Sequence, residues 1–307
     1  MIECSQRKLL HELKDKYDEI LKQSYLALGN GSFDNDLPYS SKYPYYFTAK
    51  YINRIIMKMR PIVYTAYKHS VGHELDVGKG GVPPKFLCIG SSALFCYQSL
   101  EMNKDSKEGE GASFFAHKHE HIRDVEFEKE LPVFNITNII NPHIDAYAKS
   151  ESREYFFECK FHEMFEDHPL RVSGRYFNTG KDLITDYIPK EYLELNEKIY
   201  DIDPKAFDLK GRTLFDVKQL LTHLMAIKVN KKMKECSLIY YYCFPNKKDI
   251  KDERINEIID RVKKDAITVF KSKLIKHYCD KNGIEIEMYV KTYDPYIASE
   301  KNTERLY

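Results

Sequence analysis

Apolar residues recur at spacings of three and four along several stretches of the chain, and this period predicts amphipathic helices. The first covers residues 5 to 28, with Ser5 placed to cap its start. A second pattern covers 49 to 69, and we expect it to bend or break at Pro61 because proline cannot donate a backbone hydrogen bond. Later helices are predicted from Ser91 and Ser92 onward, over 216 to 230, and over 252 to 279.

Short runs of apolar and aromatic residues, bounded by polar clusters, predict β-strands. They lie at residues 143 to 148, 155 to 161, 237 to 244 and 284 to 293. The polar residues 149 to 154 separate the first two runs, which therefore predict a hairpin. The run at 237 to 244 is almost unbroken and is typical of a strand covered on both faces. The order of these strands and helices predicts an α/β fold, with a mixed β-sheet flanked by helices.

Two regions are predicted from the same pattern. Residues 1–82 form a helical, basic and tyrosine-rich N-terminal region, and residues 83–307 form the α/β domain. The α/β domain contains an insertion at about 162–212, where the pattern is irregular. A long segment of this kind beside a site is typical of a lid or a recognition element.

The composition is that of a soluble globular protein: 307 residues, of which 43% are hydrophobic and 31% charged. No apolar run approaches the ~18 residues that cross a bilayer. The N-terminal segment lacks the apolar core of a signal peptide, so we expect a cytoplasmic protein. The seven cysteines include no CxxC pair, which argues against a disulfide framework and against a zinc knuckle.

The charges balance almost completely, with 48 Lys and Arg against 47 Asp and Glu. A uniformly basic, nucleic-acid-coating protein is therefore excluded, and any polyanion must be met by a local patch. Residues 37 to 69 provide one, because they contain lysine, arginine and many tyrosines but no acidic residue. The candidate nucleic-acid contacts are Lys50, Arg54, Lys58 and Arg60. The alternative is a helix that packs its tyrosines and leaves its lysines in solvent.

The predicted hairpin brings two carboxylates together. If residues 149 to 154 form the turn, Ala148 lies opposite Tyr155, and counting along the strands puts Asp145 opposite Glu158. Directly opposed residues have Cβ atoms roughly 4.5–5.5 Å apart, and like charges so placed destabilise a sheet unless something neutralises them. A divalent cation would do so. Lys160 follows Glu158 by two residues and therefore lies on the same face.

These residue types are those of metal-assisted phosphodiester hydrolysis. Hard oxygen ligands suit Mg²⁺ or Mn²⁺, and here they would be Asp145, Glu158 and the backbone carbonyl of Cys159. Lys160 would position the attacking water. The Cys159 side chain is expected on the opposite, packed face. The alternative is a salt-bridged group on an exposed sheet face, since acid-x-Lys triplets recur in this lysine-rich chain, although only Glu158 lies within an apolar strand.

Pro142-x-x-Asp145 followed by Glu158-x-Lys160 resembles the signature of the PD-(D/E)xK nuclease superfamily, to which many restriction endonucleases belong. The resemblance implies a restriction-endonuclease-like fold, here with an added helical N-terminal region. It also implies further site residues: Glu128 as another acidic residue near the metal, and Gln219 as an accessory glutamine, with His223 one turn later on the same side. Glu163 matches the extension found in some of these families. The insertion at 162–212 departs from the pattern.

The sequence thus predicts a Mg²⁺-dependent endonuclease that hydrolyses double-stranded DNA, in a type II restriction-like or another defence role. We expect a homodimer, because cutting both strands most simply needs two sites related by a two-fold axis. Two alternatives remain open: an inactive nucleic-acid-binding protein that keeps the fold, and a nuclease acting on RNA or structured DNA. The histidines of the segment 117–121 are a separate, weaker candidate for a transition-metal site.

Overall fold

The structure is a computed structural model, which describes residues 2–29, 45–47, 55–70, 72–101, 111–116, 120–122, 124–133, 141–166, 168–169, 212–292 and 303–307. None of the helices in these ranges has both the length and the apolar character needed to cross a bilayer. Most of the predicted insertion lies outside the described residues, as do Lys50 and Arg54.

A six-stranded sheet with strand order β1-β2-β3-β6-β7-β8 forms the centre of the molecule. The pairs β3–β6 and β6–β7 are parallel, and the pairs β1–β2, β2–β3 and β7–β8 are antiparallel. A separate two-stranded ladder joins β4 to β5. The predicted mixed α/β fold is confirmed. The strands are β1 (Val125–Glu130), β2 (His143–Lys149), β3 (Arg153–Lys160), β4 (His168–Pro169), β5 (Arg212–Thr213), β6 (Glu235–Phe244), β7 (Ile284–Thr292) and β8 (Thr303–Arg305).

The hairpin of β2 and β3 has the predicted register, with Ala148 opposite Tyr155. Its turn is tighter than the sequence suggested, because the strands continue to Lys149 and Arg153. Ser150 closes the turn: its amide donates to the carbonyl of Arg153 at 2.9 Å, and its hydroxyl accepts from the Arg153 amide at 3.2 Å. These serine bonds allow the short turn.

Strand β1 was not predicted as a strand. Its sequence VEFEKE has only two apolar residues, Val125 and Phe127, and both face the core. A half-buried edge strand needs only one apolar face, so its alternate positions can carry charged residues. For this reason the segment contains no apolar run that would predict a strand. Strand β8 was also missed, since it is only three residues long.

Six α-helices are described: α1 (Ile2–Gly29), α2 (Pro61–His69), α3 (Ser92–Leu100), α4 (Val217–Asn230), α5 (Glu253–Phe270) and α6 (Lys273–Asn282). The helical pattern over 49 to 69 is broken at Pro61, one of the two expected outcomes. Residues 57 to 60 are not helical, and Pro61 begins α2, because the first turn needs no amide donor at that position. The single helix predicted over 252 to 279 is wrong. Ser272 interrupts it and caps α6, accepting from the amide of Ile275 at 3.4 Å.

Helices cover both faces of the sheet. On one face Phe215, just before α4, and Phe270, at the end of α5, pack on Tyr240. Their ring centroids lie 5.2 and 5.6 Å from that of Tyr240. On the other face Phe95 of α3 packs on Tyr241 at 4.8 Å. Because Glu158 pairs with Tyr240 in the parallel ladder, Glu158 lies on the α4 face. That face carries the candidate site.

The N-terminal helix α1 lies against the ends of two neighbouring parallel strands. The hydroxyl of Tyr17 donates to the carbonyl of Cys243, just inside the end of β6, at 3.2 Å, and to that of Phe161, just beyond β3, at 3.4 Å. Leu13 and Leu21 belong to the same hydrophobic core as the sheet. The division at residue 82 into two regions stays a prediction.

Candidate active site

The sheet register aligns one carboxylate from each of three neighbouring strands. The β2–β3 ladder ends at the pair Ala146–Phe157, and the next step places Asp145 opposite Glu158. In the β1–β2 ladder, pairs form on either side of Glu128, which therefore lies at the position facing Asp145. Glu128, Asp145 and Glu158 thus form a row across β1, β2 and β3, which we call the carboxylate row.

Glu128 has an uncommon backbone conformation. Its φ is 49°, in the left-handed region that glycine favours, and its neighbours on β1 remain paired with β2. Holding a non-glycine residue in this region costs on the order of 1–3 kcal/mol, and such residues cluster at functional sites. Glu128 is thus both a residue with a strained backbone and a member of the carboxylate row.

Glu158 is buried, with 2% of its surface exposed. Its Oε1 accepts hydrogen bonds from Lys160 Nζ at 2.6 Å and from Gln219 Nε2 at 2.7 Å. Helix α4 positions Gln219, because Asp216 caps the helix and accepts from the Gln219 amide at 2.9 Å. Both donors bind one oxygen, so Oε2 remains for another partner.

The other two members of the row carry raised pKa values. Burial, and after it the charge of Glu158, raises the pKa of Asp145 well above its ordinary value, although Oδ2 accepts from the Cys159 amide at 2.6 Å. Burial, followed by the charges of Glu74 and Glu158, raises the pKa of Glu128 to about 8. Without a cation, both carboxyls therefore keep their protons to higher pH than free carboxyls do, because burial and the neighbouring acids disfavour their charged forms.

Lys160 is the cation of the site. Burial lowers its pKa, but Glu158, Glu163 and Asp145 outweigh burial, and the pKa lies well above its ordinary value. Glu163 is itself held in place, since its Oε2 accepts from the Phe161 amide at 2.8 Å. Lys160 is therefore protonated and serves as a positive charge, not as a proton acceptor.

Two cavities flank the row. One, of about 340 Å³, is lined by residues that include Glu128, His143, Gln219 and His223. The other, of about 480 Å³, lies between α1 and the loop after β3 and is lined by residues that include Asp18, Glu74, Lys85, His162 and Glu163. Both have volumes in the range of small-molecule sites, and the first opens directly on the row.

Comparison with known proteins gives no further guide to this site. No protein-family model, no curated protein and no solved structure matches the chain. Function must therefore be argued from the site itself.

The structure brings together all of the predicted catalytic residues: Glu128, Asp145, Glu158, Lys160 and Gln219. The Cys159 side chain points to the opposite face, as predicted, where it contacts Cys96.

The predicted basic patch is only partly described. Lys58 is exposed. The guanidinium of Arg60 pairs with both carboxylate oxygens of Glu101 and donates to the Val125 carbonyl at 3.3 Å. Arg60 therefore has a structural role, and its contact with nucleic acid stays a prediction.

Glu74 and Asp18, which line the cavity beside α1, gave no signal in the sequence. Glu74, which raises the pKa of Glu128, lies in a loop without any periodic pattern. Asp18 and His162 lie far apart in the chain, yet their side chains face each other at 3.8 Å. Of the weaker histidine candidate at 117–121, His117 and His119 lie outside the described residues and His121 is exposed. Glu120 accepts from the hydroxyls of Ser150 and Ser152 in the hairpin turn.

The donor chemistry of the row fits a hard divalent cation. Three carboxylates with crowded charge supply the oxygen ligands that Mg²⁺ and Mn²⁺ take. Among the described residues, no three His, Cys, Asp or Glu side chains are already arranged around one point. The ammonium of Lys160 lies instead against Glu158, where it supplies part of the positive charge that the row needs.

Proposed function

We propose that this protein is a metal-dependent nuclease that hydrolyses phosphodiester bonds in double-stranded DNA. The observation that carries the proposal is the carboxylate row, with a protonated lysine beside it. Neighbouring acids at adjoining positions destabilise a sheet, and the raised pKa values of Glu128 and Asp145 reflect first their burial and then the charge of their neighbours. A site that keeps such a cluster beside an open cavity is typical of cation binding and catalysis.

The residues have separate roles in this proposal. Glu128, Asp145, Glu158 and the Cys159 carbonyl would hold Mg²⁺ or Mn²⁺. The ion, when bound, would polarise the phosphoryl group and lower the pKa of a water molecule. Lys160 would offset charge on the phosphate in the transition state and orient the water. Gln219 holds Glu158 in place through Oε1.

The mixed sheet, with the site near the ends of its parallel strands, supports the restriction-endonuclease-like fold implied by the sequence resemblance. DNA is the substrate of the many restriction endonucleases with this signature, and the acid-free stretch 37 to 69 would meet its phosphates. A homodimer would place one site on each strand.

The proposal is tested by the nicking of supercoiled plasmid with Mg²⁺, Mn²⁺ or EDTA. We expect Asp145→Asn and Lys160→Met to lower the rate by at least about 100-fold. Glu126→Gln is a matched control, because Glu126 lies on the same strand as Glu128 but is exposed and pairs only with Lys129 in the described structure. Equal nicking by all four proteins would refute the assignment.

The same assay with RNA and branched DNA substrates tests the choice of substrate. Size-exclusion chromatography with DNA bound tests the dimer. A folded protein that binds DNA but nicks none of these substrates in either metal would support an inactive binding protein instead. Circular dichroism of each variant confirms that a lost activity does not come from unfolding.

A further inference from the structure

His223 on α4 is buried beside the carboxylate row, with 2% of its surface exposed. Its Nε2 lies 3.0 Å from the backbone carbonyl of His143. A carbonyl oxygen only accepts, so Nε2 carries a proton and donates it. In the neutral ring this tautomer leaves the lone pair on Nδ1.

This lone pair faces a carboxylate oxygen. Nδ1 of His223 lies 3.8 Å from Oε2 of Glu158 and has no hydrogen-bond partner in the part of the chain that the structure describes. The other oxygen, Oε1, already takes the hydrogen bonds of Lys160 and Gln219. Two acceptors thus face each other in a buried place with no hydrogen between them. Such an arrangement is unfavourable unless a proton or a metal ion lies between the two atoms.

The separation suits a shared metal ion. Two ligand atoms that each lie about 2.0–2.2 Å from one ion can be up to roughly 4 Å apart. The cavity lined by Glu128, Gln219 and His223 gives access to this place. His223 also lies on the side of Glu158 that carries Oε2, the oxygen that accepts from neither Lys160 nor Gln219.

We propose that Nδ1 of His223 is a ligand of the catalytic cation and that the site consequently selects a first-row transition ion, with Mn²⁺ bound in preference to Mg²⁺. This inference rests on the proposed function, because the proposed function is what places a catalytic cation in the site. Imidazole nitrogen suits transition ions, whereas Mg²⁺ is bound almost wholly by oxygen. An all-carboxylate row would bind either ion, and the histidine adds the selectivity.

Metal affinity, measured without any substrate, tests the ligand. Mn²⁺ binding is followed by the electron paramagnetic resonance signal of the free ion, and Mg²⁺ binding by calorimetry. We expect His223→Gln to weaken Mn²⁺ binding at least about tenfold and Mg²⁺ binding less than about threefold. His162→Gln is the matched control: His162 is another histidine whose Nδ1 has no hydrogen-bond partner among the described residues, but it faces Asp18 in the other cavity. It should leave both affinities unchanged.

A measurement on the wild-type protein keeps the test valid if the variant does not fold. Pulsed electron paramagnetic resonance of bound Mn²⁺ should show the nitrogen coupling of a directly bound imidazole. No Mn²⁺ binding, no nitrogen coupling, or equal losses of Mn²⁺ and Mg²⁺ affinity in His223→Gln would overturn the inference. Absence of nicking with the nitrogen signal intact would refute the nuclease proposal alone, so the two failures are distinguishable.

Discussion

Nε2 of Gln219 donates to Oε1 of Glu158 at 2.7 Å, which joins helix α4 to the C-terminal end of strand β3. Together with the bond from Lys160, this contact decides which oxygen of the buried carboxylate stays available. A residue that touches no substrate thereby sets the orientation of a predicted metal ligand. Gln219 is in this sense a positioning residue.

We expect Gln219→Leu to destabilise the protein by about 1–3 kcal/mol, because a buried carboxylate loses a hydrogen-bond donor. Urea unfolding in EDTA measures the change. The variant should also need a higher metal concentration for half-maximal nicking, whereas its nicking rate at saturating metal should fall by a smaller factor. A purely structural role would not cause this difference. Val229→Ala on the same helix is the control, since 52% of Val229 is exposed and its loss should cost under about 0.5 kcal/mol. Equal metal requirements in Gln219→Leu and wild type would contradict the positioning role.

A second prediction concerns the charge of the carboxylate row. Glu128→Gln should stabilise the metal-free protein at neutral pH by about 1–2 kcal/mol, because it removes a carboxyl whose pKa is raised to about 8 by burial and by Glu74 and Glu158. Thermal unfolding in EDTA measures the gain. The same variant should lose most of the stabilisation that added Mg²⁺ or Mn²⁺ gives the wild type. A less stable Glu128→Gln with an intact metal response would show that Glu128 is structural.

The hairpin and its two carboxylates were predictable because strand alternation fixes the register once the turn is located. Ala148 and Tyr155 are opposite each other as counted, even though the strands extend further into the turn. The third carboxylate was predicted only from a family resemblance. Its strand, β1, is invisible in the pattern because two apolar residues are too few to distinguish a strand from a loop.

Contacts between distant segments could not be predicted in the same way. Glu74 influences Glu128 from a loop that has no period, and the sequence gives no reason to bring them together. The same is true of α1, whose apolar stripe predicted a helix but not its place. The contact of Tyr17 with the end of β3 depends on a backbone carbonyl there, which accepts the hydrogen bond of the Tyr17 hydroxyl. Periodicity determines which face of a helix is buried, and the packing partners determine where the helix lies.

The last prediction concerns Asp18, on the buried side of α1. Its Oδ1 has no hydrogen-bond partner among the described residues and lies 3.8 Å from Nδ1 of His162. Burial raises the pKa of Asp18 from 3.8 to about 7. The folded protein therefore keeps a proton that the unfolded chain releases between pH 4 and 7, so Asp18 makes the protein progressively less stable as the pH rises through this window.

Asp18→Asn removes this pH-dependent cost. The variant should match the wild type near pH 4 and exceed its stability above pH 7, by roughly 1.4 kcal/mol for each unit of raised pKa at most. The pKa of His162, which burial lowers to about 4, affects both proteins alike and cancels in the difference. Urea unfolding of both proteins from pH 4 to 8 measures this difference. The control variant Asp249→Asn, at an exposed position outside α1, should differ from the wild type by close to zero at every pH. A difference that stays constant with pH would mean that Asp18 has a partner when folded and is charged throughout.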